Sequence, residues 1–513
     1  MLFLFNSLFY SLLLLFFSLI FLLKWLSNQR TQRNLPPSPS KLPIIGNLHQ
    51  LGLLPHRSLH SLAQQYGQLM LLHLGSKPTL IVSSVDAAHE IMKTHDLNFS
   101  TRPKSSIAGR LFYDRDVAFA PYGEYWRQVR SICVLHLLSS KMVRSFRRVR
   151  EEETTLVLEK IKQSCPSPSP SPLNLTEMFI SLSNDVVCRV ALGKKYSGGE
   201  GGRKLKDLFR ELVEVLGIFN VEEYIPWLGW LNRVNGLNTK VEKVAKDLDK
   251  FMEIVMEEHT DGRKKESGGG GSDEHDEGQQ DFVDVLLGIQ RESNTTAFPL
   301  HRDSIKALIL DMFTGGTETT STTLEWEMTE LLRNPKVMKE LQNEVRRVAR
   351  DKDDITEDDL ENMHYLKAVV RESMRLHPPV PLLIPRESIH DVEVMGYDIA
   401  AGTRVFINAW AIARDPSFWE DAKEFWPERF LNTSIDYKGH DFQFIPFGAG
   451  RRGCPGIQFA MTLNELALAK LVHKFDFALP NGARAEDMDM TEAPGISLNR
   501  KYPLLVVATP YAC

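Results

Sequence analysis

The stretch Phe447-Gly-Ala-Gly-Arg-Arg-Gly-Cys-Pro-Gly456 decides how this chain is interpreted. Glycines surround its cysteine and no bulky aliphatic residue precedes it, so the backbone can turn sharply and approach a flat partner closely. Helical periodicity starts at Ile457, and a proline such as Pro455 is favoured at the first position of a helix. The pattern predicts that Cys454 lies at a helix N-terminus, where the dipole and the two preceding arginines favour a thiolate. A thiolate held in this way is suited to bind a metal.

Bulk composition is that of an ordinary globular protein. The chain has 513 residues and a formal net charge of −5, from 61 basic and 66 acidic residues. This balance does not indicate nucleic-acid binding, which usually comes with a basic domain. The other cysteines lack the spacing of a zinc or redox site, and we expect reduced thiols facing the cytosol. They are Cys133, Cys165, Cys188 and Cys513.

In the predicted anchor, residues 1–25, the stretch from Leu2 to Leu23 is almost wholly apolar and long enough to span a bilayer as one helix. Basic residues follow at Lys24, Arg30 and Arg33, so the positive-inside rule places the rest of the chain in the cytosol. A cleaved signal peptide is the alternative, but it would need a basic start and a small-residue cleavage site. Residues 26–47 are basic and then proline-rich, which predicts a stiff hinge before a catalytic domain at 48–513.

Apolar residues at helical spacing dominate the chain after this hinge. We expect helices over residues 203–216, 241–258, 281–291, 303–333 and 335–350. Strands are predicted at 69–74 and 79–83, with a hairpin over 392–407 that turns near Gly396. Loops are predicted at 164–172 and 267–280. The fold class is therefore mainly α with small β-sheets.

The middle of the predicted helix 303–333 contains residues that disfavour a helix. Gly315 and Gly316 each cost about 1 kcal/mol relative to Ala in a helix interior. Thr317, Thr319 and Thr320 are also poor helix formers. Either the helix kinks there without chemical consequence, or the broken rule marks a functional site.

The ten residues that end at Gly456 resemble the haem-binding signature of the cytochrome P-450 monooxygenases, F-G-x-G-R-R-x-C-P-G, at every fixed position. The resemblance implies the P-450 fold, with a long central helix over a haem b and the cysteine loop beneath it. Cys454 would be the axial ligand of the haem iron. The proline-rich hinge and the forms of the motifs look most like the plant group that works in specialised metabolism.

Further motifs resemble those with which the family binds the propionate edge of the haem. Trp126-Arg-Gln-Val-Arg130 looks like the family's W-x-x-x-R, whose two side chains donate to a haem propionate. Arg386 and Arg452 match other propionate partners, because a planar guanidinium pairs well with a carboxylate. Phe447, which opens the signature stretch, would also contact the cofactor.

Two more motifs support the fold and the chemistry. Glu372-Ser-Met-Arg375 resembles the family's E-x-x-R, which Arg429 of a P-E-R-F segment would complete as a buried structural triad. Gly315-Gly-Thr-Glu-Thr-Thr320 resembles A/G-G-x-D/E-T-T. There Glu318 and Thr319 would deliver the proton that lets the O–O bond of dioxygen break heterolytically. Gly315 stands where the family commonly has Ala, and Glu318 where it commonly has Asp. These two differences leave the geometry of proton delivery open.

By the same resemblance, four segments line a substrate pocket. Its apolar members would be Ile107, Leu111, Phe112, Ile309, Phe313, Val380, Leu383 and Ile496. This lining suits a hydrophobic small molecule, such as a plant terpenoid, coumarin or other phenolic, into which one oxygen atom of dioxygen is inserted. Ordinary core packing is the alternative for each of these residues.

Electrons would come from NADPH through a flavoprotein reductase at the endoplasmic reticulum membrane. A basic cluster soon after the Trp126 motif is either a solvated helix face or a surface that steers an acidic partner. Its members are Lys141, Arg144, Arg147, Arg148 and Arg150.

Two other functions remain open. A haem protein that only carries electrons or binds a ligand would need a second axial ligand or a closed distal face. A peroxide-rearranging haem-thiolate enzyme needs no reductase and usually lacks the acid–alcohol pair. Dependence of turnover on NADPH and reductase, rather than on added hydroperoxide, separates these functions.

Overall fold

The computed structural model describes residues 14–15, 17–19, 34–165, 172–196, 199–266, 279–293, 299–350 and 352–511. Most of the predicted anchor lies outside these residues, as do nearly all of both predicted loops and Cys513. Within the described ranges, no helix is both long enough and apolar enough to cross a bilayer. The four described cysteines are free thiols, as expected.

Helices dominate the described part of the chain, as the apolar spacing predicts. In chain order they are α1 Pro55–Tyr66, α2 Val85–His89, α3 Ser106–Phe112, α4 Glu124–Ile132, α5 Ser140–Ser145, α6 Arg147–Ser164, α7 Leu175–Leu192, α8 Gly199–Gly217, α9 Val221–Tyr224, α10 Leu231–Val234, α11 Leu237–Glu266, α12 Phe282–Ser293, α13 Arg302–Gly316, α14 Glu318–Arg333, α15 Pro335–Val348, α16 His364–Leu376, α17 Ala409–Ile412 and α18 Ile457–Lys474. Local chemistry sets several starts: Asn174 caps α7 through its side chain, and Pro335 opens α15.

Strands are few and short. They are β1 Leu69–Leu74, β2 Lys77–Val82, β3 Leu173–Asn174, β4 Arg386–Glu387, β5 Val392–Val394, β6 Tyr397–Ile399, β7 Arg404–Ile407, β8 Phe475–Ala478 and β9 Leu505–Pro510. They form a four-stranded sheet in the order β1-β2-β7-β4, a three-stranded sheet β3-β9-β8, and the pair β5-β6.

The predicted hairpin over 392–407 is only half right. Strands β5 and β6 pair antiparallel around a turn at Met395 and Gly396, both with positive φ. Strand β7 leaves that pair and lies parallel to β2, with Val82 opposite Ile407. A parallel partner cannot be inferred from local alternation, because it comes from a distant part of the sequence.

The described part of the predicted hinge belongs to the folded domain. The Pro37 carbonyl accepts a hydrogen bond from Leu71 N at 2.9 Å. The Asn47 side chain accepts one from His73 N at 2.8 Å. Residues 34–47 therefore follow the edge of β1, a position where prolines are tolerated.

A helical core positions the site. Helices α6, α7, α14 and α18 pack against one another. The side chain of Trp326 in α14 is fully buried and stacks on His377. The predicted helix 303–333 is divided at Thr317 into α13 and α14. Its C-terminal half carries the acid–alcohol pair at its first turn.

Candidate active site

The cysteine loop folds as a tight cradle. The Cys454 N–H donates to the Phe447 carbonyl at 3.0 Å, and Gly453 N donates to Gly450 O at 3.0 Å. Gly450 has φ +67°, and a Cβ there would collide with the Met92 carbonyl oxygen and the Asp96 carboxylate. Only glycine fits this position, which explains the composition of the loop.

The charge around the Cys454 thiol differs from the sequence expectation. Helix α18 begins at Ile457, so Pro455 lies before the helix rather than at its first position. Gly456 N donates to Cys454 Sγ at 3.3 Å. Burial raises the pKa of the Cys454 thiol, whereas the Gly456 N–H and the Arg130 charge lower it. A bound metal cation is the kind of group that converts such a thiol fully to thiolate.

The two arginines of the cysteine loop do not direct their positive charge at the Cys454 thiol. Arg451 is half exposed and donates to Asp96 at 2.8 Å. Arg452 is buried, donates to the carbonyls of Ser100 and Ala120 at 2.6 Å each, and stacks 4.0 Å from the centroid of the Trp126 ring. Both therefore hold the loop to the chain around residues 96–120.

Four buried or largely buried arginines converge on one cavity wall: Arg102, Arg130, Arg386 and Arg452. Arg130 donates to Gly453 O at 2.6 Å, and Arg386 donates to Ala449 O at 2.7 Å. Burial and the neighbouring arginines lower the pKa of Arg452 to about 9, although Asp116 opposes the shift. The pKa of Arg102 is also lowered, by burial and then by Arg452 and Arg386.

Arg102 was missed in the sequence analysis. It donates to Ala118 O at 2.9 Å and to Ile384 O at 2.6 Å, and so joins two cavity-lining segments. A single Arg before a proline has no periodicity or spacing that marks it as buried. No predicted helix, strand or motif included Arg102.

The acid–alcohol pair lies at the start of α14. Thr319 Oγ1 donates to Gly315 O at 2.6 Å, across the break at Thr317. Glu318 Oε1 accepts from Asn499 Nδ2 at 2.7 Å. Burial raises the pKa of Glu318, while hydrogen bonds from Asn499 and Ser497 lower it. Asn499 was also missed, because nothing local links it to a residue so far away in sequence.

A cavity of about 290 Å³ brings together the predicted chemical residues. Its lining includes Cys454, Trp126, Arg130, Arg386, Arg452, Phe447, Glu318 and Thr319, together with the predicted pocket residues Val380, Leu383 and Ile496. The Trp126 indole N–H donates to Val117 O at 3.0 Å. The remaining wall is largely apolar, which suits a flat macrocycle and a hydrophobic substrate.

The other predicted pocket residues lie elsewhere. Ile107 lines an adjoining cavity of about 340 Å³, which shares Val380, Leu383 and Ile496 with the first. Leu111, Phe112, Ile309 and Phe313 are buried in the hydrophobic core. Phe313 stacks on Phe209 with 4.1 Å between ring centroids.

Helix geometry explains where these residues lie. Ile309 and Phe313 are four residues apart and share one face of α13, which packs into the core. Asp311, Gly315 and Thr319 follow the same spacing on the face that lines the cavity. Periodicity predicts that two faces exist but not which one meets the cavity.

Asp311 is an unforeseen acid in this wall. Its Oδ2 accepts from Val117 N at 2.6 Å, so it joins α13 to the segment that follows α3. Burial and the neighbouring Asp116 raise the pKa of Asp311 well above its usual range.

The predicted triad forms in the protein core. Arg375 donates to both oxygens of Glu372, at 2.7 and 2.8 Å, and both side chains are fully buried. Arg429 Nε donates to Glu372 Oε1 at 3.1 Å. Helix α16 is thereby fastened to the chain around residues 422–429.

The comparison with known families settles what this arrangement is. A family model described as Cytochrome P450 matches residues 36–507 of the chain. The chain belongs to the cytochrome P450 family. The family, the fold and the haem-thiolate monooxygenase class predicted from the motifs are therefore confirmed.

Curated relatives are plant enzymes of nearly equal length. The chain is 58% identical over 501 residues to Cytochrome P450 736A117 of Prunus mume, covering 96% of this chain and 94% of that one. It is 55% identical to a 3-beta-hydroxylase of Tanacetum parthenium, covering 98% and 99% of the two chains. It is 52% identical to (+)-menthofuran synthase of Mentha piperita, covering 97% and 99%.

A solved structure of the zebra fish cytochrome P450 with abiraterone has a TM-score of 0.72 and 26% identity to this chain. It covers 89% of this chain and 100% of the zebra fish chain. The enzyme is thus a haem monooxygenase that uses dioxygen, a small-molecule substrate and a redox partner.

The residues present fit the haem that the family implies. Cys454 Sγ faces a cavity with a largely apolar lining, as an iron porphyrin requires. Burial and neighbouring arginines lower the pKa of both Arg102 and Arg452, so this wall favours a negatively charged partner. Two carboxylates at one edge of a ligand would be such a partner.

Proposed function

We propose that this enzyme is a haem b monooxygenase of plant specialised metabolism, anchored in the endoplasmic reticulum membrane. It inserts one oxygen atom into a hydrophobic small molecule, such as a terpenoid, coumarin or other phenolic, with electrons from NADPH through a flavoprotein reductase. One observation carries the proposal: Cys454 and the Glu318–Thr319 pair line the same largely apolar cavity. The names of the relatives, a 3-beta-hydroxylase and a menthofuran synthase, support the substrate class.

The residues divide the work. A bound haem supplies the oxidising chemistry, and the protein supplies orientation and protons. Cys454 would hold the iron, and the four arginines would hold the carboxylate edge. Burial raises the pKa of Glu318, so that it holds a proton over a wider pH range than an exposed glutamate. Thr319, whose hydroxyl lies 2.6 Å from Gly315 O, can accept from one group and donate to another.

Turnover with purified reductase tests the proposal. Terpenoids and phenolics are screened by the shift of the haem spectrum on binding, and each binder is incubated with NADPH and reductase. Product that depends on both components is the expected result. Product with hydroperoxide alone would indicate a peroxide-rearranging enzyme, and binding without any product would indicate a carrier. In Thr319→Ala, NADPH use should continue but release peroxide, and normal coupling would refute the role of Thr319 in proton delivery.

The surface on which a reductase would dock contains fewer free positive charges than the basic cluster predicted from the sequence. Arg150 is fully buried against Glu357, and Arg147 bridges Glu151 and Asp358. Arg148 donates to Glu152 within α6. These pairs neutralise much of the predicted positive charge.

Lys141 and Arg144 of α5 remain exposed. Ser140 Oγ, at the start of α5, donates to Gln458 Oε1 in the first turn of α18, just behind the cysteine loop. We therefore assign the docking surface to Lys141 and Arg144, which would steer an acidic partner toward the cysteine side. Lys141→Glu with Arg144→Glu should slow reductase-supported turnover and spare peroxide-supported turnover. Arg210→Glu, on the exposed side of α8, is the control, and equal loss by both routes would contradict docking.

The membrane anchor is tested by deletion. Removal of residues 2–24 should move the protein into the soluble fraction with its haem spectrum intact. Loss of haem on deletion would show that the segment belongs to the catalytic domain.

A further inference from the structure

The segment before β9 is fastened to α14 at successive turns. Trp326 Nε1 donates to Leu498 O at 2.5 Å, and Arg500 donates to Thr329 Oγ1 at 3.0 Å. One turn nearer the start of α14, Asn499 contacts Glu318 and Thr322. These helix residues are spaced by three or four and share one face. The segment is thus aligned along the helix that carries the acid–alcohol pair.

Asn499 uses both ends of its amide in this contact. Nδ2 donates to Glu318 Oε1 at 2.7 Å, and Oδ1 accepts from the Thr322 hydroxyl. The Asn499 backbone is held in turn, because its carbonyl accepts from Ala493 N at 2.8 Å. Only one orientation of the Asn499 amide lets its nitrogen donate to Glu318 while its oxygen accepts from Thr322.

The same segment also forms part of the substrate wall. Ile496 and Ser497 line the cavity together with Glu318 and Thr319. A side chain that fixes the Glu318 carboxyl is thus only two residues from the wall. Trp326 and Thr329 fasten the same segment without touching Glu318. Asn499 is therefore more than a tether.

We propose that Asn499 is a positioning residue for proton delivery, which holds the Glu318 carboxyl in one rotamer beside Thr319. The inference rests on the proposed role of Glu318. Without the amide, the carboxyl would keep the hydrogen bond from Ser497 but lose one that favours its charged form and limits its rotation.

The test replaces Asn499 by Leu, which has a similar size and no donor. The peroxide released per NADPH consumed should rise about tenfold, the effect of losing a hydrogen bond to a charged group. A second readout needs no turnover: the pKa of Glu318, followed by the infrared band of its carboxyl group in the resting protein, should rise. If the Leu variant folds poorly, Asn499→Asp takes its place. It keeps the shape and the acceptor for Thr322, and should raise peroxide release in the same way.

Two controls separate positioning from structural support. Thr329→Val removes the tether at Arg500 and should leave coupling and the Glu318 band unchanged. In a Glu318→Gln background, Asn499→Leu should add no further uncoupling, because its effect passes through Glu318. Additive effects, or equal uncoupling by Thr329→Val, would overturn the inference. Normal coupling in Glu318→Gln alone would instead refute the proposed role of Glu318, and the inference with it.

Discussion

Replacement of Glu372 by Gln tests how far the buried triad supports this fold. Glu372 accepts four hydrogen bonds, two from Arg375 and one each from Arg429 and the Trp426 backbone N–H. The substitution keeps the size of the side chain and removes its charge. Two arginines, one of them fully buried, then lack the carboxylate that compensates them.

The expected loss is large for a single substitution. Removal of one partner from a buried ion pair costs about 3–5 kcal/mol, because the remaining charge stays desolvated. The Arg375 contacts with the Ala413 and Ala422 carbonyls, at 2.8 Å each, would remain and keep the loss within this range. An exposed pair gives the contrast: Asp207 and Arg210 are 57% and 74% exposed, and Asp207→Asn should cost less than about 0.5 kcal/mol.

Urea unfolding measures this difference. The haem-loaded protein is followed by far-ultraviolet circular dichroism and, in parallel, by the carbon monoxide spectrum of the reduced protein. A lower midpoint with an unchanged slope is the expected result for Glu372→Gln. A loss below about 1 kcal/mol would refute the reasoning, since it would mean that the buried arginines need no carboxylate.

Four further substitutions address the loop, the cavity and the acid dependence of stability. Gly450→Ala should abolish the carbon monoxide spectrum, because the new methyl collides with Met92 O; retention of the spectrum would show that the loop can adapt. Val380→Phe should weaken binding of bulky ligands by about tenfold, judged by titration of the haem spectrum, whereas Ile309→Val should change only stability, by about 1 kcal/mol. The pKa of Glu492 is lowered to about 2, so the stabilisation that Glu492 gives is present above pH 4.5 and is lost as pH falls. The free energy of unfolding should therefore decrease between pH 6 and pH 4. In Glu492→Gln this decrease should be smaller by about 1 kcal/mol.

Local patterns made much of the fold predictable. Strand β1 was predicted with its observed bounds, because Leu69–Leu74 is a short apolar run between turn signals. Five helices were predicted with bounds, and most of their ends agree with the structure to within a few residues, since apolar spacing defines the buried face of each one. The cysteine loop could be interpreted because its chemistry is contained in ten consecutive residues. The Glu372 triad followed from the family resemblance rather than from spacing.

Contacts between distant segments could not be predicted in this way. Asn499 and Glu318 are separated by 181 positions, and Arg102 and Ile384 by 282. Asn499 and Arg102, taken alone, each have the pattern of a surface polar side chain. Only the three-dimensional fold brings them to Glu318 and Ile384, which line one cavity.

The sites where local rules fail nevertheless mark the chemistry. Helix α13 ends at Gly316, where the sequence already showed two glycines in a helix interior. In the described structure the hydroxyls of Thr317 and Thr320 are buried without a hydrogen-bond partner. A buried unpaired hydroxyl and an interrupted helix both cost stability, by about 1 kcal/mol each or more. Thr320 and Gly316 line the same cavity as Cys454 and the buried arginines. The stability given up there is what a bound haem would restore, because binding to the folded state alone shifts the unfolding equilibrium.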